Sequence, residues 1–289
     1  METVDPLRKD SPSGSRKISA GTLKVIALVL MLIDHAAVVL MDRGLFGGYT
    51  GTAVNVSEGL YSLYSICRLL GRPSFLLFCF LISEGLGHTR CRGRYALRLS
   101  VFALISEIPF NLAVTGRVLF TDLTLQFQNV FFTLAIAVIS VSLIERIRLD
   151  KAPVFAGILK FLAGFLAVTI AGACHTDYGG AGVLCIYALY FIGKAGLKIP
   201  AFIAALLALV LFPTRYTVFD TLSELILTGS CSLYPPLQFR MDEVFAAFAF
   251  FPISFYSGEK GRLGRWFFYI FYPAHLLVLY AICRLFILK

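Results

Sequence analysis

The chain has 289 residues, 58% of them hydrophobic and only 15% charged, with a mean hydropathy of +0.81. A soluble domain carries about 25% charged residues, and a surface this apolar would aggregate in water, so the expected fold is an all-α, polytopic transmembrane bundle in lipid. The net charge of +9 is spread over short segments between apolar runs, which excludes a basic nucleic-acid face and reads as membrane orientation and attraction to anionic lipid.

Residues 1–19 are polar and rich in Ser, Lys and Arg, and are expected to form a disordered cytoplasmic tail before one transmembrane domain over residues 20–289. A spanning helix needs roughly 20 apolar residues, which leaves room for about eight to ten spans. Nine apolar segments follow in order. They are Thr22–Met41; a second within Leu60–Leu86, interrupted near Arg72-Pro73; Tyr95–Val114; Val130–Ile147; Pro153–Ala173; the short Ala181–Ile192 and Ile199–Phe212; Val244–Tyr256; and Trp266–Ile287. An amphipathic stretch, Phe219–Leu227, suits the interface or a half-span.

Threading nine spans with the N-terminus inside places sixteen Lys and Arg in inside segments and eight in outside segments, with Lys24 and Lys160 within spans. That bias fits the positive-inside rule and sets the C-terminus outside. On this count Arg43, Arg68 and Arg72 belong to one outer segment.

An ionisable side chain in hydrocarbon is costly and usually faces a cavity or a partner, so function is sought at such residues. The first run carries Asp34-His35. Neighbours on a helix point about 100° apart, so the two cannot aim at one point. His35 suits a general base or a nucleophile, and the plainer alternative is a polar pair joining helices. Glu107 precedes Ile108-Pro109 in the third run, where it can serve a buried base or pair with Arg98. Gln128 and Asn129 open the fourth run, placed to hold an acyl carbonyl or simply to cap the helix. Asp177 and Tyr178 lie in the outer loop His175–Gly180, as a turn or an acceptor site. His275 follows Tyr272-Pro273-Ala274 in the last run, and Glu84 and His88 are spaced to pair at the inner face. Seven cysteines with no CxxC, and four scattered histidines, suggest neither a disulfide framework nor a metal site. HExxH, Walker A, GxGxxG and GxSxG motifs are absent.

Short motifs in order carry a resemblance. They are Leu23-Lys24-Val25-Ile26-Ala27 leading to Met31-Leu32-Ile33-Asp34-His35, Gly71-Arg72-Pro73 leading to Ser83-Glu84-Gly85, and Leu104-Ile105-Ser106-Glu107-Ile108-Pro109-Phe110. Gln128-Asn129-Val130-Phe131-Phe132, Asp177-Tyr178-Gly179 and Tyr272-Pro273-Ala274-His275-Leu276 complete the set. Jointly they resemble the TraX family of bacterial membrane proteins. The resemblance implies an inner-membrane acyltransferase that uses acetyl-CoA, with an intramembrane histidine at the reaction centre. His35 is the residue carried over, with Asp34, Glu107 and His275 as further catalytic candidates. On this reading Glu107 or Asp34 sets the His35 tautomer, and Gln128 and Asn129 stabilise the oxyanion. Arg90, Arg92, Arg94, Arg98, Lys260, Arg262 and Arg265 lie where they can hold CoA phosphates. The acceptor is a pilin N-terminus, an envelope glycan or a small amine. A transporter, or a scaffold for pilus or envelope assembly, is the alternative.

Overall fold

Ser19 starts the first helix by accepting a hydrogen bond from the Thr22 N–H at 3.3 Å, which satisfies one of the donors a helix leaves open at its N-terminus. The structure, a computed structural model, describes residues 18–51, 54–118, 127–212, 240–261 and 264–288. The stretch Phe219–Leu227 and most of the expected tail lie outside the described residues. Ile18 and Ser19, placed in the tail by sequence, are already structured. The Ile18 N–H donates to the Phe255 carbonyl at 2.8 Å, and the Ile18 carbonyl accepts from Ser257 at 2.9 Å.

Helix α1 is Ala20–Leu45, with wider, π-helical turns from Ala37 onward. Helices α2 (Glu58–Gly71) and α3 (Pro73–His88) form one rod. The expected interruption at Arg72-Pro73 does not occur: Arg72 keeps helical angles, and Pro73 takes the first position of α3, where no N–H is needed. The chain continues through α4 (Arg92–Thr115), α5 (Val130–Arg146), α6 (Pro153–Ala173), α7 (Gly179–Ile192) and α8 (Lys198–Leu211). Helix α9 joins a tight stretch, Met241–Ala249, to Phe250–Ser254, and α10 is Arg265–Ile282 continued by Cys283–Ile287.

Five helices are long and apolar enough to cross a membrane: Ala20–Leu45, Glu58–His88, Arg92–Thr115, Pro153–Ala173 and Trp266–Ile287. There is no strand among the described residues, as expected where every backbone group must be satisfied within its own segment. Small residues let the helices approach closely: Ala27, Ala103, Ala113, Ala137, Ala171 and Ala181 are all buried. The outward faces are oily, as on α6, where Val154, Phe155, Phe161 and Leu166 are exposed.

One end of the bundle, called here the near end, gathers the start of α1, the α3–α4 turn and the end of α5. Ile18 pairs there with Tyr256, and Arg92 and Lys194 converge on Glu145 at 3.7 and 3.0 Å. Counting from that end, His35, Arg72, Glu107 and Asn129 each stand 15 or 16 residues along their helices. At 1.5 Å per residue they share a layer about 22–24 Å in. The fold thus brings polar side chains from four helices to one depth.

Gly71 fixes the α1–α2 approach. A Cβ there would stand 2.4 Å from the Asp34 Cβ and 2.6 Å from its Oδ1. Gly71→Ala is expected to force Asp34 away and destabilise the fold by about 1–3 kcal/mol, the usual cost of overpacking. A lower unfolding temperature in detergent is the check.

Candidate functional site

His35 and His275, separated by 240 residues in sequence, meet at 2.7 Å between Nδ1 of the first and Nε2 of the second. The rings lie nearly parallel, 11° apart, with centroids 5.0 Å apart. The other ring nitrogen of His275, Nδ1, lies 2.8 Å from the Phe271 carbonyl one turn earlier. A carbonyl only accepts, so the network assigns the hydrogen to Nδ1 of His275, leaving its Nε2 as an acceptor. His35 then donates through Nδ1. Its own Nε2 keeps a lone pair with no listed acceptor role inside the pair, the arrangement a base or a nucleophile requires.

A cavity of roughly 240 Å³ opens among α1, α3, α4, α5 and α10. Its walls are mainly apolar, including Leu28, Phe78, Leu99 and Leu134. Lys24 and Arg98 supply cations toward the near end, with the Lys24 ammonium 4.8 Å from the Phe268 ring centre and the Arg98 guanidinium 5.8 Å from that of Tyr95. Toward the polar layer it reaches Met31, one turn before His35, and Tyr272, whose ring centre is 6.0 Å from that of His35. The cavity is a narrow, oily slot with positive charge at one end and the imidazole pair just beyond the other.

Asp34 does not touch His35. The helical offset aims it at α2, where it accepts from Arg68 at 2.6 Å. Beside it Arg72, nearly buried, holds Glu243 at 3.1 Å and Asp242 at 3.2 Å, and Arg240 also reaches Glu243 at 2.7 Å. Glu243 is fully buried. Sequence reasoning missed this cluster because Arg68, Arg72 and Arg240 were assigned to outer segments and Asp242-Glu243 sits just before an apolar run. The signal available was Arg72 standing inside an otherwise apolar stretch.

Glu107 also faces away from His35. Its carboxylate accepts from Asn111 at 3.1 Å and from the Asn129 side chain at 2.6 Å. The Asn129 amide donates as well to the Ala103 carbonyl at 2.8 Å, while its oxygen caps the Phe131 N–H at 3.1 Å. Its side chain is committed to tying α5 to α4, so the geometry gives an N-cap where an oxyanion donor was expected, and the His35 tautomer is set by His275 in place of Glu107 or Asp34.

Gln128 pairs through its backbone with His175 at 3.1 Å and Asp177 at 2.9 Å, which seats the loop before α7. His175 and Tyr178 there have φ of 51° and 61°, a left-handed backbone that costs a non-glycine residue about 1–3 kcal/mol. The Thr133 hydroxyl bonds Thr176 at 2.9 Å and also donates to the Asp177 carbonyl, and Tyr178 stacks on Phe75 with ring centres 3.6 Å apart. These contacts hold the strained turn. Removal from water and the nearby Asp34 raise the Asp177 carboxyl to about 6, against the pull of Arg68, Arg72 and Arg240.

Of the basic candidates, Arg98 alone lines the cavity, joined by Lys24, which sequence reasoning left inside a span. Arg92 is bound to the Tyr190 hydroxyl at 2.7 Å and to Glu145, and Arg94 bonds Cys91. Arg90 lies in the near-end turn, and Lys260 lies within electrostatic range of Lys24. Arg262 and the Arg265 side chain lie outside the described residues. Glu84 and His88 pair at 3.7 Å on the exposed near-end surface. Among the described residues no group of His, Cys, Asp and Glu is placed to hold a metal, and Cys67, Cys79, Cys91, Cys174, Cys185 and Cys283 are free.

The family model described as "TraX protein" matches residues 19–283. A relative from Dichelobacter nodosus, described as "Probable fimbrial assembly protein FimC, serogroup H1", is 29% identical over 271 residues, covering 90% of this chain and 94% of its own. No solved structure matches the chain.

Proposed function

This chain belongs to the TraX family, and from that membership we propose that it is an acyltransferase of the bacterial inner membrane, moving acetyl from cytoplasmic acetyl-CoA to an amine or hydroxyl acceptor. We read nine passes with the N-terminus in the cytoplasm, so that the near end is cytoplasmic. Arg90, Arg92, Arg94, Arg146, Arg148, Lys151, Lys194, Lys198 and Lys260 belong to the near-end turns and helix termini, the placement a positive-inside orientation favours.

The observation that carries the reading is the His35–His275 pair beside the apolar cavity. His35 Nε2 takes the proton of the acceptor as it attacks the thioester carbonyl. The carbon–sulfur bond breaks, a carbon–nitrogen or carbon–oxygen bond forms, and the same proton goes to the departing CoA sulfur. His275 accepts from His35 throughout and steadies the charged ring. The slot suits the linear, thioester-bearing arm of acetyl-CoA, with Lys24 and Arg98 placed for its phosphates. The nearly apolar walls keep water from the thioester. The description of the relative as a probable fimbrial assembly protein favours a pilus-related role, which makes a pilin N-terminus the first acceptor to test.

Acetyl-CoA is expected to raise the unfolding temperature of the detergent-solubilised protein. A ligand at a hundred times its dissociation constant stabilises by about 2.7 kcal/mol. Lys24→Ala with Arg98→Ala should abolish most of that rise without lowering the ligand-free transition. Absence of any rise at saturating acetyl-CoA counts against the donor assignment and favours an assembly scaffold, for which His35 substitutions would leave pilus formation intact.

A further inference from the structure

Tyr272 sits between the cavity and the imidazole pair. It is 3% exposed and lines the cavity. Its ring centre stands 6.0 Å from that of His35 and 5.6 Å from that of His275, and it packs edge-on to Phe131. Its hydroxyl is buried without a hydrogen-bond partner among the described residues, and the backbone N–H of Val130, the first residue of α5, lies beside it without closing a bond. A buried, unsatisfied hydroxyl costs about 1–3 kcal/mol, and phenylalanine would fill the same space without that cost. A tyrosine held this way has an O–H with nothing inside the fold to bond.

We propose that Tyr272 is a catalytic residue whose hydroxyl donates to the carbonyl oxygen of the acyl thioester and stabilises the charge that develops there. The inference rests on the acyltransferase reading above and adds the electrophilic half of its site. As the acceptor attacks the carbonyl carbon, the C=O electron pair moves onto oxygen and the Tyr272 O–H bond shortens its contact to it. When the carbonyl re-forms, the carbon–sulfur bond breaks. Tyr272 keeps its proton throughout, and the proton from the acceptor travels by His35 to sulfur. Phe131 and Phe271 pin the rings of Tyr272 and His275, so that the O–H and the base are held on one reacting carbon.

The test compares wild type, Tyr272→Phe and His35→Asn in membrane vesicles, using isotopically labelled acetyl-CoA and the acceptors present in the membrane. Tyr272→Phe is expected to lower kcat about a hundredfold, the loss typical of one oxyanion donor, with KM for acetyl-CoA and the unfolding temperature unchanged or the latter raised. The infrared band of carbonyl-labelled acetyl-CoA should lie lower when bound to wild type than when free, and should return toward the free position in Tyr272→Phe. An unshifted band in wild type, or a marked drop in the unfolding temperature of Tyr272→Phe, overturns the assignment. If Tyr272→Phe transfers at the wild-type rate while His35→Asn is silent, Tyr272 alone is removed from the mechanism. If both transfer at the wild-type rate, the base assignment falls too.

Discussion

His35→Asn should reduce acyl transfer by about 10²–10⁴-fold, the range that a positioned base contributes, while the protein inserts and unfolds as wild type does. Asparagine is chosen because its amide N–H can take the place of Nδ1 and still donate to His275, whose Nε2 is bonded at 2.7 Å in the native protein. What it lacks is the second nitrogen. His35→Ala removes both, and leaves the His275 acceptor buried and unbonded at an added stability cost of about 1–3 kcal/mol. Activity lost in both variants with stability lost only in the second separates chemistry from packing. Mass spectrometry of products labelled from acetyl-CoA reads the first quantity, and thermal unfolding in detergent reads the second. Wild-type turnover by the asparagine variant would place the base elsewhere.

Arg72→Met should be the most destabilising single change in the charged layer. Arg72 bonds both Asp242 and Glu243, and Glu243 has no exposed surface. Arg240 still reaches Glu243 after the change, so the loss is that of one partner in a buried network, about 3–5 kcal/mol. Restoring neutrality with Glu243→Gln in the same chain should recover part of it. A double-mutant cycle on unfolding temperature or urea midpoint therefore yields a coupling of the two sites well above that of an exposed pair. Additive effects would mean that Arg72 acts by its bulk alone.

The helices were legible because lipid imposes a simple rule on sequence. Apolar runs such as Val130–Ile147 and Pro153–Ala173 closely match α5 and α6, since unsatisfied backbone groups cannot linger in hydrocarbon. His35, Glu107 and His275 stood out for a related reason, each being an expensive side chain in an apolar run. The divergence of Asp34 from His35 followed from helical phase. Pairing was another matter. Nothing local marks residues 35 and 275 as neighbours, because helix packing decides which faces meet. The charged layer was hidden by the short helices. Helices α8 and α9 end or begin beside Arg240 and Glu243, so charges deep in the structure resemble loop charges when only the sequence is seen. Arg68 and Arg72 were hidden in the opposite way, by an expected break in a rod that in fact runs straight through them.

The chain of contacts from His35 through His275 stops at the Phe271 carbonyl. That oxygen has no hydrogen to release and no basic nitrogen beyond it to pass one to. A proton entering at His35 must therefore leave from His35. The imidazole pair is a cul-de-sac, unlike the through-going wires of ion pumps, and each catalytic cycle would leave the acidity on either face of the membrane where it began.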